Sequence, residues 1–234
     1  MYIGVKNGIF MKKYALILAG GIGSRMNSSI PKQFMLLDNE PILAHTLRRF
    51  DNHEDIDGIV LVMHGDYIEE GRRIAEEFNI RKLIRIVPGG SSRKQSSFNG
   101  VAALPEDEDS YVLIHDAARP FVSDRIISEC CAKLQEYAAV STVIESSDTV
   151  YLVNSENIIQ EVPDRNCCFL VQTPQAFHYN VIAEAHRMGA DDPELNFTDD
   201  AGMVQYYELA DVYCIQGEAA NCKITTPDDL KKYC

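Results

Sequence analysis

Short apolar runs alternating with helical patterns constrain this 234-residue chain most strongly. Tyr14–Leu18, Gly58–Met63, Leu83–Val87, Tyr111–His115, Val140–Ile144 and Asp211–Ile215 read as strands. Pro41–Phe50, which opens with proline at its first turn, Asp66–Phe78 and Asp124–Tyr137 read as the helices between them. Parallel neighbours need a crossover long enough for a helix, so this alternation predicts βαβ units. The expected fold class is α/β, a doubly wound, mainly parallel, Rossmann-like sheet whose ligands sit at the carboxyl ends of its strands. One segment departs from the rhythm. Thr149–Val153, the turn Asn154–Asn157 and Ile158–Val162 read as an inserted β-hairpin arm over 147–166. A lone two-stranded hairpin is marginal in water, so the arm is expected to pack on a second copy of the chain, giving a homodimer. No linker divides the rest, which predicts a single domain over 11–234. Met11 is a candidate start, with 1–10 a leader extension.

The first strand runs straight into Ala19-Gly20-Gly21-Ile22-Gly23-Ser24-Arg25-Met26, followed by Pro31-Lys32-Gln33-Phe34. Glycines let backbone N–H groups approach an anion, and Arg25 and Lys32 add full charge where amides supply only dipoles. The loop therefore predicts a phosphate cradle, against the plainer alternative of an ordinary strand-to-helix turn. A dinucleotide fingerprint is excluded because Met26 stands where its third small residue belongs, and a Walker A loop because no Gly-Lys-Ser/Thr follows.

Charge sharpens this reading. With 22 basic and 35 acidic residues the formal net charge is −13, which argues against nucleic acid or an anionic membrane as partner. No stretch is long and apolar enough for a membrane span, and no cleavage-site pattern follows Lys12-Lys13. The seven cysteines have no metal spacing, and an odd number without a secretion signal points to reduced thiols in the cytoplasm, used as packing residues.

Three further motifs fall at strand ends or loops. Asp116, after Tyr-Val-Leu-Ile-His, is placed either to ligate Mg²⁺ or to cap the next helix. His115 beside it reads as a packed residue rather than a catalyst. Gly89-Gly90-Ser91-Ser92-Arg93-Lys94-Gln95-Ser96 is a second glycine turn feeding a helix, suited to a base or an anion but equally explained by capping. Asn221-Cys222-Lys223-Ile224-Thr225-Thr226-Pro227 sets one lysine before a helix start, either as a solvated side chain or as a third phosphate contact.

These motifs, in this order, resemble the 2-C-methyl-D-erythritol 4-phosphate cytidylyltransferase family and its relatives, the ribitol-5-phosphate cytidylyltransferases. The resemblance runs from Tyr14 to Leu230 and also draws on His115-Asp116-Ala117-Ala118-Arg119-Pro120, Asp148-Thr149, Asp164-Arg165, Gln172-Thr173-Pro174-Gln175 and Thr198-Asp199-Asp200-Ala201. It implies a nucleotidyltransferase fold of the GT-A-like kind. The implied activity is CMP transfer from CTP to a polyol phosphate, with release of pyrophosphate, by direct in-line attack. Arg25, Lys32 and Lys223 are then the catalytic cations. Ala19, Gly20, Gly21, Gly23, Gly90, Ser96, Asp116 and Ala117 hold CTP, Asp116 and Asn221 hold Mg²⁺, and Thr149, Arg165 and Thr173 meet the acceptor, Arg165 in the partner's site.

The expected acceptor is methylerythritol phosphate, in isoprenoid precursor synthesis, with ribitol 5-phosphate as the alternative and a non-catalytic nucleotide-binding protein as a third. Val143–Tyr151 and Ala19-Gly20-Gly21 look more like the ribitol branch, whereas His115–Pro120, Asp164-Arg165 and Thr198–Ala201 look more like the methylerythritol branch. The chain ends at Cys234, where a family-like terminal helix runs longer, so a shortened end is expected.

Overall fold

The computed structural model describes residues 11–21, 31–105, 109–192, 195 and 197–231. Strand β1 (Lys13–Ala19) lies inside a seven-stranded sheet, between β4 (Gly58–Met63) and β6 (Tyr111–Asp116). β5 (Leu83–Pro88) closes one edge. On the other side of β6 come β10 (Phe169–His178), β7 (Ala139–Glu145) and the edge strand β11 (Val212–Gln216). All neighbours are parallel except β10, which runs antiparallel to both β6 and β7. The chain leaves β1 toward β4 and β5 and then returns to the opposite side of β1 with β6. The carboxyl ends of β1 and β6 therefore flank the point where the winding reverses, with Leu18 in register with Asp116.

Side chains along β1 alternate between two cores, as a period of two requires. Ala15, Ile17 and Ala19 pack under α1 (Ile42–Asn52), α2 (Ile68–Glu77) and α4 (Asp124–Lys133), through Leu43, Leu47, Phe50, Ile74, Ile126 and Ile127. Tyr14 and Leu16 pack on the other face under α3 (Arg93–Ala102), α5 (Tyr179–Ala190) and α6 (Asp200–Tyr206), through Val101, Ile182, Ala185, Met203 and Val204. β4 and β6 are buried along their whole length, which is why they read as unbroken apolar runs.

The expected strands are all present, with ends shifted by a residue or so. The helices differ more. Pro41 precedes α1 rather than opening it, because it belongs to a small hairpin of β2 (Leu36–Leu37) and β3 (Glu40–Pro41). The turn of that hairpin puts Asp38 and Asn39 at φ 49° and 65°, a left-handed pair that matches the twist of its strands. The helix expected from Asp66 begins at Ile68, after a 3₁₀ turn over Gly65–Tyr67, and α4 ends at Lys133 rather than Tyr137. Asn154–Asn157 does make the turn of the arm, its Asn154 Oδ1 accepting from the N–H groups of Glu156 and Ile158. The ladder is shorter than expected, only β8 (Leu152–Val153) against β9 (Ile159–Glu161).

Only Cys130 and Cys131 are true packing residues among the described thiols, and burial pushes both up to about 12. Cys167 and Cys214 are exposed, so packing does not account for them. Among the described residues no helix is long and apolar enough to cross a membrane. The leader over 1–10 lies outside the described residues.

Candidate active site

At the reversal point a cavity of about 380 Å³ opens, a size typical of small-molecule sites. It is lined by Ala19, Gly20, Gly21, Lys32, Gly90, Ser96, Asp116, Ala117 and Lys223, so residues from four separated motifs meet in one place. Gly23 and Arg25 lie outside the described residues.

Local structure explains how each element arrives. A 3₁₀ turn over Lys32–Phe34 is tied to β1 by Gln33, whose buried Nε2 donates to the Ala19 carbonyl at 3.1 Å. This bond carries Lys32 to the cavity. Gly20 and Gly89 are needed because the first strand and the second glycine turn close on the same hydroxyl. A Cβ on Gly20 would stand 3.2 Å from Ser96 Oγ, and one on Gly89 2.9 Å from it. Ser96 Oγ in turn accepts from the N–H of Gly90 at 3.1 Å, and Ser92 caps α3 by accepting from the N–H of Gln95.

Asp116 is the electrostatic centre. Its carboxylate faces Lys223 Nζ at 2.9 Å and Arg119 Nε at 3.4 Å. Burial pushes the carboxyl upward, but Lys223, Arg93 and Arg119 outweigh it and hold the group well below the usual carboxylate range. It stays ionised at any physiological pH. The Lys223 loop is anchored where Ile224 N–H donates to the Ala118 carbonyl at 2.9 Å. Beyond it, Asp229 of α7 (Pro227–Lys231) accepts from the N–H groups of Thr225 and Thr226 and from the Thr225 hydroxyl.

Thr173 and Asn221 sit behind Asp116 rather than in the cavity wall. The register of β10 on β7 shifts between Val171 and Gln175, and this irregularity turns Thr173 toward β6. Its Oγ accepts from the Asp116 N–H at 3.0 Å and lies 3.0 Å from His115 Nδ1. Thr173, expected at the acceptor, is thus buried and committed to supporting Asp116. Asn221 Nδ2 donates to the Thr173 carbonyl at 2.8 Å and to Gln172 Oε1 at 3.2 Å, which leaves buried Oδ1 without a partner among the described residues. The ionised Asp116 carboxylate and the unpartnered Asn221 Oδ1 are each hard-oxygen donors of the kind Mg²⁺ takes. Thr149 and Arg165 are exposed and outside the cavity.

His115 Nε2 donates to the Arg119 carbonyl at 3.0 Å, so Nδ1 accepts from the Thr173 hydroxyl and the ring is neutral. Burial pulls the imidazole down to about 4. An unfolded histidine titrates near 6.5, so between about 6.5 and 4 the unfolded chain binds the extra proton and stability rises with pH. Acidification through that window removes on the order of 3 kcal/mol. In urea unfolding at a series of pH values, His115→Gln is expected to flatten this slope. A wild-type slope in the variant would refute the assignment.

Arg93 and Arg119 are charged members of the neighbourhood that sequence reasoning did not single out. Their signal was faint: Arg119 lies three residues after Asp116, and Arg93 opens the helix after the second glycine turn.

The family described as IspD: 2-C-methyl-D-erythritol 4-phosphate cytidylyltransferase matches residues 14–233. A 2-C-methyl-D-erythritol 4-phosphate cytidylyltransferase of Clostridium botulinum is 42% identical over 219 residues, 94% of each chain. A ribitol-5-phosphate cytidylyltransferase of Vibrio parahaemolyticus is 36% identical over 219 residues, 92% of each. The crystal structure of 4-diphosphocytidyl-2C-methyl-D-erythritol synthase from Anaerococcus prevotii superposes with a TM-score of 0.84 at 30% identity, covering 96% of this chain and 97% of the other. With the family's pattern running from β1 through the segment that carries Lys223, the chain belongs to the 2-C-methyl-D-erythritol 4-phosphate cytidylyltransferase family.

Proposed function

We propose that the protein transfers CMP from CTP to 2-C-methyl-D-erythritol 4-phosphate, releasing pyrophosphate. The observation that carries this is the convergence of the glycine-bounded strand end, Lys32, Asp116 and Lys223 on one cavity at the sheet's reversal point. The acceptor's phosphate oxygen attacks the α-phosphorus in line. A new P–O bond forms to the acceptor, the α–β bridging bond breaks, and its electron pair leaves with pyrophosphate. Such a transfer needs positioning and charge stabilisation more than covalent help. Lys32 and Lys223, with Arg25, neutralise the charge that gathers on the α-phosphoryl group and the leaving oxygen. Ala19, Gly20, Gly90 and Ser96 hold the base, while Gly21, Gly23 and Ala117 line the rest of the nucleotide.

The residues at Asp116 and Asn221 suit Mg²⁺, which when bound supplies positive charge to the phosphates. The arm is the proposed dimer contact. Tyr151, Leu152, Val153, Ile158, Ile159 and Val162 are each about half exposed on it, an apolar load that a second copy would cover. In that dimer Arg165 reaches the partner's site and meets the acceptor phosphate with Thr149. The compartment proposed is the cytoplasm.

Ribitol 5-phosphate is the second reading, favoured by Val143–Tyr151 and by the 36% identity to the ribitol-5-phosphate enzyme. One experiment separates them: pyrophosphate release from CTP and Mg²⁺ with each acceptor side by side, on protein whose mass in solution has been measured. Faster turnover with methylerythritol phosphate by a dimer is the expected result. Preference for ribitol phosphate overturns the acceptor, and a monomer that turns over overturns the arm exchange.

A further inference from the structure

Two motifs remain unused by the chemistry above, the end of the second glycine turn at Arg93 and Thr198-Asp199-Asp200-Ala201. They are more than a hundred residues apart in the chain, and the fold joins them. Arg93 Nη1 donates to Asp200 Oδ2 at 2.7 Å. The Asp200 side chain is 2% exposed, whereas that of Arg93 is 27% exposed and lines the same cavity as Lys32, Asp116 and Lys223.

Asp200 is held from several directions. The Ser97 hydroxyl donates to its Oδ1 at 2.6 Å, and His186 Nε2 lies 3.4 Å from the same oxygen. Its backbone N–H, with that of Ala201, donates to Gln175 Oε1 of β10. Burial pushes the Asp200 carboxyl upward, but Arg93 and then His186 hold it well below the usual range. The anchor is therefore a fixed, ionised carboxylate.

A guanidinium has five N–H donors, and Asp200 takes one of them. No other hydrogen bond of this side chain is made among the described residues. A buried ion pair adds little net stability over apolar packing, so stability alone is a weak reason for this one. What it does provide is a cation held by a buried carboxylate on a side chain that lines the cavity and is partly exposed. Burial disfavours the Arg93 charge, but Asp200 and, less strongly, Asp116, which lines the same cavity, favour it. Three cations and one carboxylate thus line a pocket in a chain of net charge −13.

We propose that Arg93 is an anion-binding residue of this cavity, positioned by Asp200, and that it holds the polyphosphate part of the donor nucleotide. The identity of that nucleotide rests on the function proposed above.

The test is calorimetric binding of pyrophosphate, CTP and CMP, each with Mg²⁺, to the wild-type protein and to Arg93→Met, Arg93→Lys and Asp200→Asn. Pyrophosphate has no base, so a role confined to shaping the base-binding turn leaves its affinity alone. Arg93→Met is expected to weaken pyrophosphate and CTP by about 10–100-fold, the range of one charge-assisted contact, and CMP by less. Arg93→Lys is expected to recover part of that loss, and Asp200→Asn to cost roughly 5–10-fold because the cation remains but is no longer fixed. Should Arg93→Met leave Asp200 too unstable to study, Arg93→Met with Asp200→Asn removes both charges and serves instead. Pyrophosphate affinity within twofold of wild type in the Arg93→Met protein, or in that double variant, overturns the inference. Wild-type protein that binds pyrophosphate but not CTP instead overturns the cytidylyltransferase reading and leaves Arg93 measurable. Wild-type protein that binds neither overturns both.

Discussion

Replacing Lys32 with alanine is expected to lower kcat for CMP transfer by about 10²–10³-fold, the scale of losing one preorganised group that stabilises transition-state charge. The loss should be chemical and not structural. The 3₁₀ turn that carries Lys32 is held by Gln33 on the Ala19 carbonyl and by the Phe34 N–H donating to the Pro31 carbonyl at 2.9 Å, and neither bond uses the lysine side chain. The backbone of the turn should therefore persist, read as an unchanged circular dichroism spectrum, while single-turnover pyrophosphate release slows. A variant with near-normal turnover would remove Lys32 from the proposed catalytic set.

Asp116→Asn should be as damaging to activity, and unlike Lys32→Ala it should also cost stability. Lys223, Arg93 and Arg119 all act on this carboxylate, and the amide removes the one negative charge they share. Breaking a fully buried pair costs about 3–5 kcal/mol, and here the figure is nearer 1–3 kcal/mol because the Lys223 side chain is 38% exposed and water can take over its charge. The expected result is a rate loss of at least about 10²-fold, weaker Mg²⁺ binding by titration and a lower urea midpoint. Wild-type Mg²⁺ dependence in the Asn variant would detach the metal from Asp116.

The different legibility of these two residues has a physical origin. Asp116 stands out because a charge at the end of Tyr-Val-Leu-Ile-His interrupts a buried run, and burial is what local periodicity encodes. Lys32 stands out because Pro31 and the preceding glycine loop mark it off from surface lysines. The support of Asp116 was not readable in the same way. Thr173 and Asn221 reach it from β10 and from the loop after β11, and nothing near either residue announces that its partner lies across the sheet.

β10 is the clearest case. Gln172-Thr173-Pro174-Gln175 puts three polar residues and a proline where a central strand should be apolar, so the segment carries no strand pattern. In the fold those side chains are satisfied by distant partners: Gln172 donates to the Glu218 carbonyl, Thr173 pairs with β6, and Gln175 accepts from Asp200 and Ala201. A polar central strand is affordable only when such partners exist, and they exist only after packing.

The apolar alternation and the glycine turns after β1 and β5 were legible because burial period and backbone conformation depend on neighbours a few residues away. Packing alone inserted β10 antiparallel between β6 and β7, set Asn221 behind Asp116 and brought Arg93 to Asp200, because these meetings join residues from a few tens to about a hundred positions apart.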